Sequence, residues 1–241
     1  LNSSLFSYYA LMCMSSAGVE REQGLKKEKF SMPYVSGGMA SHVKAIERKY
    51  DDLEKNPLQP RDAAEIFIAN ERLKIDKVIA KELQLTEVES ALIDYAIHYS
   101  IPLATGHAVS ESVSNNPKGR KMLQDYAGVF LERFDGQLGE GNYLNCQCEI
   151  ASDYVSVRFK VEKGKRSISF VKSETSGLYA LLLTLSVENL SDQLYLRKDI
   201  RGFEKDGFYV IKPCDQRLWH KAVAFVDVQE FVDAILSNFK N

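Results

Sequence analysis

The chain is poor in tryptophan, proline and cysteine, and it has no long apolar run. One tryptophan, six prolines and four cysteines occur in 241 residues. The cysteines (Cys13, Cys146, Cys148 and Cys214) are irregularly spaced and do not predict a disulfide framework. No apolar run approaches the roughly 20 residues of a membrane helix, and no charged-then-apolar leader is visible. These shortages together predict a cytoplasmic globular protein.

An excess of positive charge is also lacking. The formal net charge is −2 and the sequence pI is about 6.2, with 45% hydrophobic and 27% charged residues. A free-standing nucleic-acid module is usually basic, so this balance disfavours DNA binding by the whole surface but allows one basic face. Candidate basic clusters are Lys26, Lys27 and Lys29; Lys118, Arg120 and Lys121; Arg158, Lys160, Lys163, Lys165 and Arg166; and Arg197, Lys198 and Arg201. The alternative for each cluster is a solvated face or a hairpin tip.

The first 35 residues contain two different patterns. Apolar residues recur at helical spacing in the first half, which predicts an amphipathic helix that Gly18 ends. Phe30, Met32 and Tyr34 then alternate with Lys29, Ser31 and Pro33, which predicts a short strand. Because proline cannot donate to a ladder, we expect this strand at the edge of a sheet.

This stretch resembles a known family through Leu1-Asn2-Ser3, Leu5-Phe6, Tyr8-Tyr9, Ser15-Ser16 and the ending Phe30-Ser31-Met32-Pro33. It is similar to the tail of a target-recognition domain, as found in type I restriction specificity subunits and in type IIG N6-adenine DNA methyltransferases. The resemblance implies that the chain is a C-terminal piece of a longer bacterial restriction–modification protein. The alternative is an ordinary amphipathic helix packed on a hairpin.

Residues 36–104 are expected to form a helical spacer. Met39, Val43, Ile46, Tyr50 and Leu53 make a short heptad seam, which favours a helix over 39–55 that packs internally or associates with a second copy. A capping-box spacing predicts a helix start at Asp62 with Glu65, and a wide apolar face predicts a break near 74–76. Thr86 and Glu89 predict another helix start, and Pro102 is expected to end that helix.

A second resemblance to the same family falls within this spacer. The carriers are Ile75-Asp76-Lys77-Val78, the run from Leu83 to Glu89, and Leu92-Ile93-Asp94. Many N6-adenine methyltransferases carry an Ile-Asp … Leu-x-Leu-Thr-x-x-Glu pattern near their C-terminal side. Capping chemistry alone also accounts for Thr86 and Glu89.

Residues 105–241 predict an α+β domain with an antiparallel sheet flanked by helices. A helix over 118–134 and a loop at Gly136, Gly139 and Gly141 precede three alternating strands. A leucine-rich helix near 178–185 follows, then strands at 194–198 and 208–212 with a turn at Asp206-Gly207. We expect a further strand over 219–226 and a final helix that Asp227 caps.

The chemistry of the family's active site is not found in this chain. Adenine methyltransferases hold the flipped base with an Asn/Asp-Pro-Pro-aromatic loop, and no Pro-Pro dipeptide occurs here. The three glycines from Gly136 to Gly141 follow a helix rather than join a strand to a helix, so they do not predict a nucleotide site. Cys146 and Cys148 favour buried packing over zinc. We predict no catalytic and no metal-binding residue.

The resemblance implies that S-adenosylmethionine binds an upstream methyltransferase domain, which is also an expected partner. Double-stranded DNA is the expected partner of the parent protein, with sequence reading by the upstream recognition domain. The basic clusters would then hold phosphates. The alternative function is a protein-interaction module that self-associates through the helix over 39–55 and has no nucleic-acid role.

Overall fold

The structure is a computed structural model, and it describes residues 3–13, 37–56, 60–106, 111–114, 117–172 and 199–238. The chain divides into two compact units. We call Leu1–Val109 the helical unit and Ser110–Asn241 the sheet unit. Together they give the α+β class that the sequence predicts.

The described part of the helical unit consists of helices. They are α1 (Ser4–Cys13), α2 (Ala40–Lys55), α3 (Arg61–Glu82), α4 (Glu87–Tyr95), a π-helical turn (Ala96–Ser100) and α5 (Ile101–Ala104). Helix α2 confirms the prediction of a helix over 39–55. Its Ile46 packs into a small core with Ile68, Ile75 and Ile79 of α3. The apolar seam of α2 is therefore used in part for packing within the unit.

Helix α3 differs from the prediction at its start and at its middle. It begins at Arg61 after Pro60, no side chain caps it, and Asp62 lies in its first turn. It then continues without the predicted break near 74–76. A single straight helix cannot bury an apolar face that wide, so large apolar side chains remain on its outer side.

The predicted capping box at the start of α4 is confirmed. Thr86 accepts a hydrogen bond from the Glu89 backbone N–H at 3.2 Å, and Glu89 Oε2 accepts from the Thr86 backbone N–H at 2.8 Å. The prediction that Pro102 ends this helix is wrong. The π-helical turn re-phases the backbone, so that Pro102 lies in the first turn of α5, where its missing N–H has no partner to lose.

The sheet unit contains helices and a five-stranded sheet in its described part. The elements are α6 (Pro117–Arg133), β1 (Asn142–Ile150), β2 (Tyr154–Lys163), β3 (Ile168–Lys172), β4 (Ile200–Glu204), β5 (Gly207–Pro213), a 3₁₀ helix (Gln216–Trp219) and α7 (Lys221–Asn238). The strand order is β3-β1-β2-β5-β4. Helix α6, the glycine loop after it and the first three strands match the prediction.

The sheet is mixed rather than wholly antiparallel. The pairs β1–β2, β2–β5 and β4–β5 are antiparallel, whereas β3 pairs parallel to β1. The cause is the connection after β2. Gly164, at φ +126°, lets the chain cross the start of β1 and donates to Gly141 O at 3.3 Å. Strand β3 then returns on the far side of β1, where a strand antiparallel to β2 must run parallel to β1.

An aromatic core joins one face of this sheet to α6 and α7. The ring of Phe130 from α6 stacks on Phe159 of β2 at 4.5 Å between centroids, and Phe208 of β5 contacts Phe231 of α7 at 4.5 Å. Trp219 is fully buried and meets Tyr126 edge-on at 5.0 Å. Trp219 is therefore a core residue.

The prediction of a strand over 219–226 is wrong, because a helix begins inside that stretch. Asp215 caps the 3₁₀ helix by accepting from the Arg217 backbone N–H at 3.0 Å. His220 Nδ1 then accepts from the Ala222 backbone N–H at 3.1 Å and starts α7. Asp227 consequently lies within α7 and does not cap it.

Several predicted features lie outside the described residues. They are the strand at 30–34 with Gly18, the helix near 178–185 and the strand over 194–198. Strand β4 (Ile200–Glu204) follows the last of these and was not predicted as a strand. Among the described helices, we find none whose length and apolar character would suffice to cross a membrane.

Candidate functional site

Two stretches that are far apart in the sequence meet at the N-terminus of α1. Ser4 donates its backbone N–H to Asp76 Oδ1 at 2.8 Å and its hydroxyl to Asp76 Oδ2 at 2.6 Å. Leu5 packs beside these bonds, on the core that includes Ile75 and Ile79. Asp76 therefore places a carboxylate at the positive end of α1, where anions are stabilising. We call this contact the Ser4–Asp76 junction.

A second polar contact ties α2 to α3. Glu71 is buried, with 6% of its surface exposed, and its two carboxylate oxygens take different partners. Oε2 lies 2.7 Å from His42 Nδ1 of α2, and Oε1 lies 2.5 Å from Lys74 Nζ one turn along α3. Hydrogen bonds from Lys74 and His42 lower the pKa of Glu71 below its ordinary value. The carboxylate fixes α2 against α3 in its charged form.

The outer side of α3 presents large apolar residues to solvent. Ile66 is 64% exposed and Leu73 is 58% exposed. They lie seven residues apart, so they fall on nearly the same side of the helix, opposite the buried Ile68 and Ile75. We call Ile66 and Leu73 the α3 outer stripe. Clusters of exposed apolar side chains are typical of surfaces that contact another protein.

An open cleft of about 500 Å³ lies between α2 and α3. Ile68 and Leu53 contribute apolar walls, while the charged lining residues are Glu54, Glu65, Arg61 and Arg72. Two acids face two bases there, so the cleft favours neither an anionic nor a cationic ligand.

The predicted DNA-binding cations fall in three different settings. Lys26, Lys27 and Lys29, together with Arg197 and Lys198, lie outside the described residues. Lys118, Arg120 and Lys121 are exposed in the first turns of α6. Arg201 is half-buried in β4, and three carboxylates surround its guanidinium: Asp199, Asp227 and Glu230. Those internal ion pairs occupy the donors that a phosphate would need.

Two side-chain contacts from α6, one to β3 and one to the turn before it, bring two of the predicted basic clusters to one edge of the sheet. The Arg120 guanidinium lies over the Phe170 ring of β3, 5.9 Å from its centroid. Arg166, just before β3, approaches Glu132 near the end of α6 at 3.8 Å. The helix and the strand therefore run side by side in opposite directions. Exposed cations follow this seam at Lys118, Arg120, Lys121, Lys165, Arg166 and Lys172; we call them the α6–β3 edge.

A buried charge cluster lies under the opposite edge of the sheet. Asp227 of α7 and Lys212 of β5 form an ion pair in which both side chains are only 2% exposed. The Tyr126 hydroxyl donates to Asp227 Oδ2 at 2.6 Å, and Arg201 donates to Oδ1 at 2.6 Å. Burial lowers the pKa of Lys212 against the opposing charge of Asp227, and burial with that charge raises the pKa of Tyr126. Both oxygens of the Asp227 carboxylate accept hydrogen bonds, so the cluster is expected to stabilise the fold.

The cysteines show no metal-site geometry in the described residues. Cys146 Sγ and Cys148 Sγ lie 3.8 Å apart on the inner face of β1, both buried, as the sequence predicts. In the described part of the chain, no three His, Cys, Asp or Glu side chains are placed together to hold a metal ion.

Two contacts were not predicted from the sequence. Nothing in the local pattern around Asp76 names Ser4 as its partner 72 residues away. Lys172 ends a short strand, and its place beside the α6 cations depends on the crossing at Gly164, which local spacing does not encode.

Comparison of the chain with protein-family models, with curated proteins and with solved structures gives no match.

Proposed function

We propose that the chain is a C-terminal part of a restriction–modification protein that methylates adenine at N6, and that it contributes to target recognition and assembly rather than to the methyl-transfer step. The observation that supports this most is the Ser4–Asp76 junction. Leu1-Asn2-Ser3 with Leu5-Phe6, and Ile75-Asp76-Lys77, each resemble this family on their own. Ser4, which lies between Ser3 and Leu5, donates two hydrogen bonds to Asp76, 72 residues away in the chain.

Such a contact is expected if the closing helix of the recognition domain packs on the helical spacer. Ser4 supplies the first helical turn of α1, and Asp76 supplies the carboxylate that satisfies the free N–H at that turn. Hydrogen bonds to a charged group contribute about 1.5–3 kcal/mol each, so the junction would fix α1 firmly on α3. In the proposed protein, this holds the closing helix of the recognition domain against the helical spacer. S-adenosylmethionine would bind the upstream domain.

The test uses the full gene product that contains this chain, expressed in a host without adenine methylation. Nucleosides from digested host DNA are measured by mass spectrometry. N6-methyladenine is expected, formed with S-adenosylmethionine as the methyl donor. Its absence from DNA, with the protein folded and expressed, would overturn the proposal.

The role of the junction is tested in the same assay with Asp76→Asn. This variant keeps the shape of the side chain but removes the charge that holds α1. We expect methylation to fall severalfold or more. Asp62→Asn is the matched control, since Asp62 is an exposed acid on the same helix. Equal methylation by both variants would show that the junction has no role in methylation.

A second candidate function is protein association through the helical unit, which the α3 outer stripe favours. An apolar stripe with residues seven apart is the pattern of helix–helix contact. The sequence places the association seam on α2, but Ile46 of that seam is buried inside the unit. The outer stripe of α3 is therefore the better surface for a second copy.

Sedimentation velocity of the purified protein tests this candidate. If Ile66 and Leu73 make a contact between copies, Leu73→Lys should shift an oligomer to monomer without unfolding the chain. An apolar contact is nearly insensitive to salt, so the oligomer should persist at high salt. A chain that is monomeric at all concentrations would rule the candidate out.

A further inference from the structure

Six exposed cations lie along the α6–β3 edge. Two acids contact this edge: Asp125 lies 2.7 Å from Lys121, and Glu132 lies 3.8 Å from Arg166. The whole chain carries a net charge of −2, so this positive field is local and must be balanced by acids elsewhere.

The cations come from separate parts of the sequence, and the fold brings them into one row. Lys118, Arg120 and Lys121 begin α6, whereas Lys165, Arg166 and Lys172 flank β3. Two contacts, Arg120 with Phe170 and Arg166 with Glu132, fix both ends of the row. Like charges gathered in this way repel one another, and a polyanion that binds them relieves the repulsion.

The length of the row suits the phosphate backbone of a duplex. Residues 118 and 132 of α6 are separated by about 21 Å at the helical rise of 1.5 Å per residue. One strand of B-form DNA carries a phosphate every 3.4 Å of helix axis, so the row covers about six phosphates. Exposed lysine and arginine side chains match a backbone contact rather than a base contact.

We infer that the α6–β3 edge binds the phosphate backbone of double-stranded DNA and positions it without reading its sequence. This inference deepens the proposed function and rests on its DNA substrate, but it assigns the contact to the sheet unit. Arg201, which the sequence grouped with the DNA-binding residues, is not part of the surface because its charge is used inside the fold.

The experiment measures the binding of a 30-base-pair duplex by fluorescence anisotropy, with the full gene product, from 50 to 200 mM salt. The edge variant is Lys118→Glu, Arg120→Glu and Lys172→Glu. Each phosphate contact contributes about 0.9 to the slope of log K against log salt. The variant should therefore lower that slope by about 3 and weaken binding at least about tenfold at 150 mM salt, equally for unrelated sequences.

The matched control is Lys44→Glu, Lys55→Glu and Lys205→Glu, which makes the same change in net charge at exposed positions of α2 and of the β4–β5 turn. It should bind nearly as the unaltered protein does. Equal weakening by the two variants would overturn the inference, because net charge alone would then set the affinity. Unchanged binding by the edge variant would also overturn it.

A neutral variant, Lys118→Gln with Lys172→Gln, keeps the test decisive if charge reversal disturbs folding, and buried Trp219 fluorescence checks that the sheet unit is intact. The neutral variant should lower the salt slope by about 2. Binding to phosphatidylserine vesicles without DNA binding would overturn the inference in favour of a membrane surface. The methylation assay is separate: edge-dependent DNA binding without methylation would overturn only the proposed function.

Discussion

Asp227 lies in the middle of α7, and its carboxylate accepts bonds from Lys212, Arg201 and Tyr126. The strands β4 and β5 and the helices α6 and α7 each supply one member of this set. A buried ion pair adds little net stability compared with an apolar pair, because both charges are taken out of water. Removing one partner is strongly destabilising, because the remaining charge stays buried without an opposite charge.

Replacing Asp227 with Ala should therefore lower the free energy of unfolding by about 3–5 kcal/mol, because Lys212 is left buried and unpaired. Urea denaturation followed by Trp219 fluorescence measures the change. The control is Asp233→Ala, an exposed acid on the same helix, for which we expect a change within about 0.5 kcal/mol. Similar losses of unfolding free energy for both variants would mean that the buried charge cluster does not stabilise the fold.

Glu71 predicts how stability depends on pH. Its folded-state pKa lies below the ordinary value of 4.5, because Lys74 and His42 hydrogen-bond its charged form. The unfolded chain thus takes up a proton first as the pH falls. The contribution of Glu71 is fully present above pH 4.5 and is lost as the pH falls through the folded pKa.

The measurement is the urea midpoint of the protein and of Glu71→Gln between pH 7 and pH 3. We expect the variant to be less stable at pH 7 and the difference to shrink below pH 4.5. A difference that stays constant with pH would show that the charge of Glu71 contributes nothing.

At the scale of elements, the segment from α4 to α5 shows a helix controlled at both ends. The Thr86–Glu89 box sets its start, and hydrogen bonds from Thr86 lower the pKa of Glu89. The π-helical turn then carries the chain past Pro102. Such turns are short interruptions of a helix and often occur at functional positions.

Thr86→Ala should lower the stability of the helical unit by about 1 kcal/mol, since the free N–H of Glu89 loses its cap. Circular dichroism at 222 nm during urea titration measures the loss. Ser90→Ala, an exposed change within α4, serves as the control. A cap that contributes nothing would give the same midpoint for both.

Short-range chemistry explains which elements the sequence predicted. The capping box, the glycine loop after α6 and the alternation of β1 and β2 depend on neighbours within a few residues. The errors come from longer-range causes. The start of α7 depends on His220 and on packing of Trp219, which outweigh the β-branched residues Val223 and Val226. The parallel pairing of β3 with β1 depends on the direction that the chain takes at Gly164.

At the scale of the whole molecule, the sheet unit holds the single tryptophan of the chain and the helical unit holds none. Trp219 fluorescence therefore reports the unfolding of the sheet unit, whereas circular dichroism at 222 nm reports helices in both units. Ile46→Ala removes a buried side chain from the α2–α3 core. It should cost about 2–5 kcal/mol in the helical unit.

The expected result is a lower urea midpoint by circular dichroism with an unchanged midpoint by Trp219 fluorescence. Val43→Ala is the control, since Val43 lies on α2 but is exposed. Coincident shifts of both signals would show that the two units unfold as one.

The candidate site depends on contacts of the same long-range kind. Lys118, Arg120 and Lys121 were visible in the sequence as a cluster, but their continuation through Arg166 and Lys172 needed the packing of α6 on β3. The Ser4–Asp76 junction likewise joins two recognisable stretches whose proximity no spacing rule provides. In each case the local sequence showed the charged or polar residue, but it did not show which distant residue contacts it.

The buried thiols of the sheet unit allow its opening to be measured by their rate of alkylation. Cys146, Cys148 and Cys214 are all buried. The hydrogen bond with Cys148 and burial raise the pKa of Cys146, and burial raises the pKa of Cys214. The thiolate is the nucleophile that attacks an alkylating reagent, so these cysteines should react slowly while the unit is closed. The rate of alkylation without denaturant then measures how often the sheet unit opens. If an added DNA duplex slowed the alkylation, the slower opening of the sheet unit would indicate that the duplex binds it.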